Sequence, residues 1–115
     1  MWGEMGRHRK AGRFIEACLL CLLRTGSKHG YSLVEELQEF GFEQPLDISV
    51  FYRNLRSMEQ RELVNSSWEE SDYGPNKRVY EITKEGYRAL DEWIGVLKDR
   101  KQRIERIIEN YESSL

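Results

Sequence analysis

The segment DISVFYRNLRSMEQREL, residues 47–63, has the apolar periodicity of an amphipathic helix. Its apolar stripe consists of Ile48, Phe51, Leu55 and Met58. Asp47 or Ser49 can cap the start of the helix, because a short side-chain oxygen there accepts a free backbone N–H. The candidate DNA-binding residues on the opposite face are Ser49, Tyr52, Arg53 and Arg56. A face rich in arginine, tyrosine and hydroxyl groups suits the major groove of DNA, although a merely solvated face gives the same pattern.

The composition predicts one soluble, helix-rich globular domain. The chain has 115 residues, of which 39% are hydrophobic and 33% are charged. The longest apolar run, residues 17–23, is much shorter than a membrane span, and no signal-peptide cleavage site follows the basic start. We therefore expect a cytoplasmic protein without a membrane partner. In that compartment the two cysteines are expected to be free thiols.

Positive charge is concentrated at the N-terminus, although the net charge of the whole chain is −2. Residues 1–13 carry a net charge of +3, and the predicted DNA-binding cations among them are Arg7, Arg9 and Lys10. A basic arm on a near-neutral body is suited to the phosphate backbone of DNA. The alternative is a disordered terminus that only adds solubility, above all for residues 1–5.

Two further helices are predicted before the segment 47–63. Residues 13–25 are apolar on almost every side, which indicates a buried central helix that ends at Gly26. Residues 27–40 form the second helix, with a predicted buried face of Tyr31, Leu33, Val34, Leu37 and Phe40. A short connection over residues 42–45 leads into the third helix, so the last two helices make a helix-turn-helix.

Cys18 and Cys21 form a CxxC pair, which suggests redox or zinc chemistry. No second cysteine pair exists in the sequence, and His8 and His29 lack the spacing of zinc ligands. Cysteines in a buried helix behave as small apolar residues. We therefore expect no metal, no cofactor and no enzymatic activity, while a redox role of the pair stays open.

After residue 63 the apolar period changes from that of a helix to that of a strand. Residues 64–69 and 77–83 are predicted strands, and residues 70–76 between them contain a Gly-Pro turn cluster. A hairpin directly after a helix that reads DNA is a wing. Lys77 and Arg78 lie near its tip, where a wing would contact phosphate. The alternative for Lys77 is an edge residue that prevents strand aggregation.

A last helix is predicted from its N-cap, Thr83, to about residue 112. Its apolar residues follow a heptad, and a helix of this length extends beyond what a small core can cover, so it is expected to dimerise. The predicted dimerisation residues are Leu90, Ile94, Leu97, Ile104, Ile107, Ile108 and Tyr111. For residues 87–97, packing against the helix's own domain is the alternative.

Together these elements predict a mainly α fold with a small β-hairpin, an α+β winged helix-turn-helix with one long C-terminal dimerisation helix. Residues 1–13 form the arm, residues 14–83 the winged domain and residues 84–115 the dimerisation helix, all within one compact unit.

Three stretches of the sequence resemble the PadR family of prokaryotic transcriptional regulators. They are HGYSLVEELQEFG at 29–41, SVFYRNLRSMEQRELV at 49–64 and SSWEESDYGPNKRVYEITKEGYRALDEW at 66–93. The likeness spans about residues 14–111. It implies a winged helix-turn-helix protein that acts as a homodimer, usually to repress transcription.

The resemblance also implies roles for single residues. It places Tyr52, Arg53 and Arg56 in the major groove, Tyr31 at or near the DNA backbone, and Lys77 and Arg78 on the wing. Trp93 matches a tryptophan with which some members of the family bind flat aromatic compounds at the dimer interface. Arg53 is a departure, since many members have proline after the tyrosine of the reading helix, and this leaves the operator sequence open.

The sequence thus favours a dimeric DNA-binding regulator, most simply a repressor of a pseudo-palindromic operator, released by a small-molecule effector that changes the dimer geometry. A winged-helix ligand-binding or protein-interaction module that does not read DNA is the alternative. An enzyme or thiol redox protein has only Cys18 and Cys21 in its favour.

Overall fold

The computed structural model describes residues 14–41 and 47–115, so the predicted basic arm and the connection 42–45 lie outside the described residues. The elements in chain order are a helix over residues 14–23 (α1), strand Lys28–His29 (β1), helix Gly30–Leu37 (α2) with a 3-10 turn Gln38–Phe40, helix Ile48–Gln60 (α3), strands Val64–Glu69 (β2) and Lys77–Ile82 (β3), and helix Lys84–Ser113 (α4). The mainly α fold with a small antiparallel sheet confirms the predicted α+β class.

The sheet has three antiparallel strands in the order β1-β3-β2. The predicted hairpin is confirmed, and its register pairs Val64 with Ile82 at the base and Glu69 with Lys77 near the tip. Strand β1 was not predicted: Lys28 pairs with Tyr80, and the helix predicted from residue 27 begins only at Gly30. A strand of two residues is too short to show an alternating pattern in the sequence. This strand is defined only by its pairing with the distant β3.

The core brings all four helices and the sheet together. Its fully buried side chains are Ile15, Leu19, Leu20, Leu23, Leu33, Leu37, Phe51, Leu55, Met58 and Val64. Removing each of these side chains from water contributes about 1.5–3 kcal/mol to folding. Helix α1 supplies four of them, so the predicted central helix is confirmed. At Gly26, just beyond that helix, φ is +141°, a conformation that side-chain-bearing residues rarely adopt.

Three residues predicted to face the core lie at the surface: Ile48 is 59% exposed, Tyr31 50% and Phe40 47%. Ile48 opens the first turn of α3, beyond the reach of the core. In α2 the buried face consists of Gly30, Leu33 and Leu37, which turns Tyr31 outward. Because glycine has no apolar side chain, Gly30 does not appear in the apolar pattern of the sequence, and that pattern does not identify the buried face of α2 correctly.

Helix α4 begins against the turn between α3 and β2. As predicted, Thr83 is the N-cap: its Oγ1 accepts from the backbone N–H of Gly86 at 3.0 Å and donates to the carbonyl of Glu62 at 2.6 Å. The 30 residues of the helix extend about 45 Å at the usual rise, and from Lys101 onward every side chain is exposed. No helix in the described part of the chain has the length and apolarity needed to cross a membrane.

Candidate nucleic-acid interface

The N-terminal end of α3 is fixed by Asp47. Its Oδ1 accepts a hydrogen bond from the Ser49 hydroxyl at 2.7 Å and another from the Ser49 backbone N–H at 2.9 Å. These two bonds, led by that of the hydroxyl, lower the pKa of the Asp47 carboxyl below its ordinary value. Of the two predicted candidates for the cap, Asp47 and Ser49, the structure has Asp47. The Ser49 hydroxyl donates a hydrogen bond to Asp47, so its oxygen presents an acceptor to a ligand.

Arg53 and Arg56 lie on the solvent side of α3. The opposite side of the helix, Phe51, Leu55 and Met58, is at most 1% exposed. Both arginines are exposed, and within residues 14–41 and 47–115 neither forms an ion pair. Their guanidinium groups are thus available to an anionic partner, and this arrangement follows directly from the predicted amphipathic pattern.

Tyr52 belongs to the same face but is anchored by its ring. The ring meets that of Phe51 edge-on, with centroids 4.9 Å apart. Its hydroxyl passes close to α2, since a Cβ added at Gly30 would lie 3.5 Å from it. That distance is an ordinary van der Waals contact, so Tyr52 packs beside the beginning of α2 while 38% of it stays exposed.

A groove of about 740 Å³ separates α3 from the hairpin and from the first turn of α2. Aromatic rings and cations line it, among them Tyr31, Tyr52, Arg56, Trp68 and Lys77. The Nζ of Lys77 lies 5.5 Å from the centroid of the Tyr31 ring, which stacks on His29 at 5.4 Å. The structure thus brings five of the predicted residues together around one groove, namely Tyr31, Tyr52, Arg56, Lys77 and Arg78, whereas Ser49 and Arg53 of α3 do not line it.

Arg78 differs from the other cations of this groove, because its guanidinium is engaged within the protein. It donates to the Ser66 hydroxyl from Nε at 3.0 Å and from Nη2 at 2.8 Å. The same Nη2 lies 3.4 Å from Oε2 of Glu59, and the guanidinium stands 5.2 Å from the centroid of the Trp68 ring. Arg78 thus points toward α3, whereas Lys77 next to it is exposed.

Helix α4 carries an exposed apolar stripe. Of the predicted dimerisation residues, those exposed to solvent are Ile94, Ile104, Ile107, Ile108 and Tyr111, and Leu97 is half-buried. Leu90 differs from the prediction: it is only 5% exposed and packs in the core of its own domain. The heptad pattern cannot separate these two uses, because the first turns of α4 cover the domain and the later turns extend past it.

Trp93 packs against the core from the same helix. It is half-buried, and its Nε1 donates a hydrogen bond to Oε2 of Glu16 on α1 at 2.9 Å. The carboxylate of Glu16 also pairs with Arg61, the C-cap residue of α3. Trp93 is therefore linked through one carboxylate to the end of the helix that carries Arg53 and Arg56.

A sequence profile of the PadR-like family of transcriptional regulators matches residues 19–92, from α1 into the first part of α4. The chain belongs to the PadR-like family. Solved PadR-like and related structures agree with this assignment. A protein described as a potential transcription factor shares 32% identity over 89% of this chain and 90% of its own, with a TM-score of 0.75. A transcriptional regulator from Thermoplasma acidophilum shares 27% identity over 88% and 96%, with a TM-score of 0.78.

The fold also matches that of PadR from Bacillus subtilis, solved in complex with operator DNA. The identity is 23%, the match covers 71% of this chain and 47% of that one, and the TM-score is 0.64. The comparison with functionally characterised sequences gives no match. The predicted winged helix-turn-helix and the predicted family are thus confirmed, and the chain is similar to transcriptional regulators along most of its length.

The remaining predicted residues of this PadR-like chain are the cations of the N-terminal arm and the two cysteines. Arg7, Arg9 and Lys10 lie outside the described residues, so their role stays a prediction. Cys18 is buried, and burial followed by the neighbouring Cys21 raises the pKa of its thiol to about 11. Within the part of the chain that the structure describes, no cluster of His, Cys, Asp and Glu side chains is arranged to hold a metal ion.

Glu59, Ser66 and Trp68 also belong to this site, although they were not among the predicted site residues. The available signal is the hairpin register: pairing the two predicted strands about their turn places Trp68 directly opposite Arg78. Glu59 carries no such signal, because its contact with Arg78 joins residues 19 positions apart on different elements.

Proposed function

We propose that this chain is a homodimeric, DNA-binding transcriptional repressor that reads a pseudo-palindromic operator. The observation that carries the proposal is that Arg53 and Arg56 are exposed on α3 and free of ion pairs among the described residues, with Arg56 lining the aromatic groove next to the wing. The repressor would act in the cytoplasm. The operator complex of the structurally similar Bacillus subtilis PadR supports the use of this fold for DNA.

In this proposal α3 enters the major groove. Arg53 and Arg56 read guanine edges or grip phosphates, Tyr52 and the acceptor oxygen of Ser49 add polar contacts, and the core stripe behind them keeps the helix rigid. Tyr31 and Lys77, which lie together at the mouth of the groove, contact the sugar-phosphate backbone. The arm residues Arg7, Arg9 and Lys10 add further phosphate contacts and therefore salt dependence.

The exposed apolar stripe of α4 supports the homodimer. A dyad between two copies of α4 would present two reading helices to successive major grooves, about 34–36 Å apart, which requires an operator with pseudo-two-fold symmetry. Dimerisation would also cover isoleucine side chains that the single protomer leaves in water.

An aromatic effector is proposed to bind at the α4 interface beside Trp93. Such a ligand releases the operator only if it binds the two dimer geometries with different affinity. A flat aromatic compound that stacks on Trp93 would quench its fluorescence. Because Trp2 and Trp68 also fluoresce, the test requires that the quenching disappears in Trp93→Phe and persists in Trp68→Phe.

The decisive experiment titrates the protein against DNA from upstream of its own gene, at two salt concentrations. We expect specific binding that weakens with salt. Arg53→Ala and Arg56→Ala should each weaken operator binding by about 1–3 kcal/mol if the arginine meets a base edge in bidentate fashion. A phosphate contact would instead lower affinity for all sequences and reduce the salt slope by about one.

The matched control is Arg103→Ala, which removes an exposed arginine from α4, away from the groove. It should bind operator like the wild type, and all three variants should keep the wild-type melting temperature. If the wild type binds no DNA at low salt, the winged-helix interaction module becomes the better reading. If the wild type binds operator and both Arg53→Ala and Arg56→Ala bind it equally well, α3 is not the reading helix.

A further inference from the structure

Arg78 joins the wing to the reading helix through three side chains from three elements. Its guanidinium, on β3, donates twice to the hydroxyl of Ser66 on β2, at 2.8 and 3.0 Å. That hydroxyl in turn donates to Oε1 of Glu59 on α3, while Arg78 approaches Oε2 of the same carboxylate at 3.4 Å. Arg78, Ser66 and Glu59 therefore form a closed network, hereafter the Arg78 network.

Trp68 completes the surroundings of Arg78. The indole lies across the hairpin from Arg78, and the guanidinium stands over its ring at 5.2 Å. Cation–π contact on one side and a carboxylate on the other satisfy the charge of Arg78 inside the protein. The side chains of Arg78 and Glu59 remain partly exposed, at 41% and 36%.

The position of Glu59 in the groove is a second observation. It lines the groove that also contains Arg56 and Lys77, and a carboxylate beside incoming phosphates opposes binding by charge repulsion. A surface built only for phosphate would exclude this residue. Its place is explained by Arg78, because Ser66 accepts from Nε and Nη2 of the guanidinium and Glu59 accepts from the same Nη2 at 3.4 Å.

We infer that Arg78 is a positioning residue: it sets the distance and angle between the wing and α3, and thereby the operator specificity, instead of neutralising a phosphate. This inference rests on the proposed function. Base reading by α3 and backbone contact by the wing must occur together on one duplex, so a wing that moves relative to α3 loses one set of contacts. The planar fork of arginine can hold Ser66 and Glu59 at once, which a lysine ammonium cannot do with the same geometry.

Two variants separate this role from a phosphate contact, since the two roles predict opposite results. Arg78→Lys keeps the charge and removes the fork, so positioning predicts a loss of operator affinity and phosphate contact predicts nearly none. Glu59→Gln removes a negative charge from the groove. Positioning predicts weaker operator binding, whereas a phosphate contact predicts stronger binding to every DNA.

The experiment measures binding of the full chain to operator and to scrambled DNA by fluorescence anisotropy. It is done at about 50 and about 200 mM salt, a range over which phosphate contacts change the affinity strongly. We expect Arg78→Lys and Glu59→Gln each to lose operator affinity by about 10-fold, the size of a charge-assisted hydrogen bond. Affinity for scrambled DNA and the salt slope should stay close to those of the wild type in Arg78→Lys, whereas Glu59→Gln should bind scrambled DNA at least as tightly as the wild type, because it removes a charge that repels phosphate. The double variant should be no weaker than either single one, because both remove the same network.

Lys77→Gln is the matched control on the neighbouring wing residue. It should lower affinity for both DNAs and reduce the salt slope by about one, as loss of a phosphate contact does. A purely structural role of Arg78 would lower the melting temperature but leave the ratio of operator to scrambled affinity of the folded protein unchanged, so this ratio is the decisive readout.

The inference is overturned if Arg78→Lys binds operator like the wild type, or if Glu59→Gln binds all DNA more tightly. It is also overturned if the operator-to-scrambled ratio does not move in either variant. Failure of the wild type itself to bind DNA would reject the proposed function. A wild type that binds operator, together with an Arg78→Lys variant that binds it equally well, would reject only the positioning role of Arg78. If Glu59→Gln does not fold, Ser66→Ala tests the same network from β2.

Discussion

Trp93 and Glu16 are joined by a hydrogen bond of 2.9 Å between the indole Nε1 and Oε2, which fastens α4 to α1. Because Glu16 also pairs with Arg61, the same carboxylate reaches the C-terminal end of α3. A ligand that displaced the Trp93 indole would leave Glu16 with Arg61 alone. Helices α4 and α3 are thus connected through a single acidic side chain that is only 12% exposed.

The first prediction concerns this carboxylate. Glu16→Ala should lower the free energy of unfolding by about 1–3 kcal/mol, because it leaves the half-buried Trp93 N–H without its acceptor. Trp93→Phe removes the donor and keeps an aromatic ring. Chemical denaturation of both single variants and the double variant should give a coupling energy of about 0.5–3 kcal/mol. Simple addition of the two single effects would show that the bond contributes nothing.

The second prediction concerns two glycines of α4. A Cβ at Gly86 would lie 2.2 Å from the backbone oxygen of Leu63, so Gly86→Ala forces α4 away from the α3–β2 turn. We expect the variant to lose about 1–3 kcal/mol of stability, as an overpacked site does. Gly95→Ala is the matched control in the same helix, since nothing lies within 4 Å of its Cβ.

Gly95→Ala should gain about 0.5–1 kcal/mol, because alanine restricts the unfolded chain more than glycine does and favours the helix. Thermal melting followed by circular dichroism measures both changes. Equal effects of the two substitutions would contradict the close approach of α4 to Leu63.

The sequence reveals those parts of the fold that have a local pattern. The face formed by Phe51, Leu55 and Met58 repeats at helical spacing, and its recognition also places Arg53 and Arg56 correctly on the opposite side. Likewise, the composition of residues 70–76 is sufficient to predict the hairpin turn. In each case the residues that determine the structure are close together in the chain.

What the sequence does not reveal depends on partners distant in the chain. Strand β1 exists only through its pairing with β3, about fifty positions later in sequence. The orientation of Arg78 toward α3 depends on Glu59, and the burial of Leu90 depends on the core of the domain that it joins rather than on its own heptad position. A local pattern identifies an apolar or charged residue, but not which neighbour satisfies it.

The third prediction concerns the buried thiol of Cys18. Burial raises its pKa from the ordinary value of 9.0 to about 11, so the folded protein keeps the thiol protonated. Between these two values the unfolded chain releases a proton that the folded chain retains. The stabilising contribution of the neutral thiol is therefore complete below pH 9 and is lost as the pH rises toward about 11.

Unfolding of the wild type and of Cys18→Ala from pH 8 to pH 11 measures this effect. The free energy of unfolding of the wild type, relative to that of Cys18→Ala, should be highest near pH 8 and should fall as the pH rises toward 11. A thiol reagent gives a second readout. Cys21→Ser, which retains only Cys18, should react much more slowly than Cys18→Ser, which retains the half-buried Cys21. Rapid reaction of Cys18 at pH 8 would show that the helix opens readily.

The exposed isoleucines of α4 motivate the last prediction. Ile104, Ile107 and Ile108 are 55%, 69% and 50% exposed, and the core cluster of the described residues does not reach beyond Trp93. Such a row of large apolar side chains on the free end of a helix is unfavourable in water and favourable in a helix pair. We therefore expect these residues to be covered only in the dimer.

Changing Ile104 and Ile108 together to Asp should abolish the dimer, because an apolar contact would have to bury two charges without partners. Operator binding should fall with dimerisation, although no residue of the groove is altered. Sedimentation and DNA titration measure the two effects on the same sample. The control, Gln102→Asp with Asn110→Asp, adds the same charge on the opposite face of α4 and should remain a dimer with full affinity. If the isoleucine variant also remains a dimer and binds operator normally, this stripe is not the interface, and DNA reading does not depend on pairing of α4.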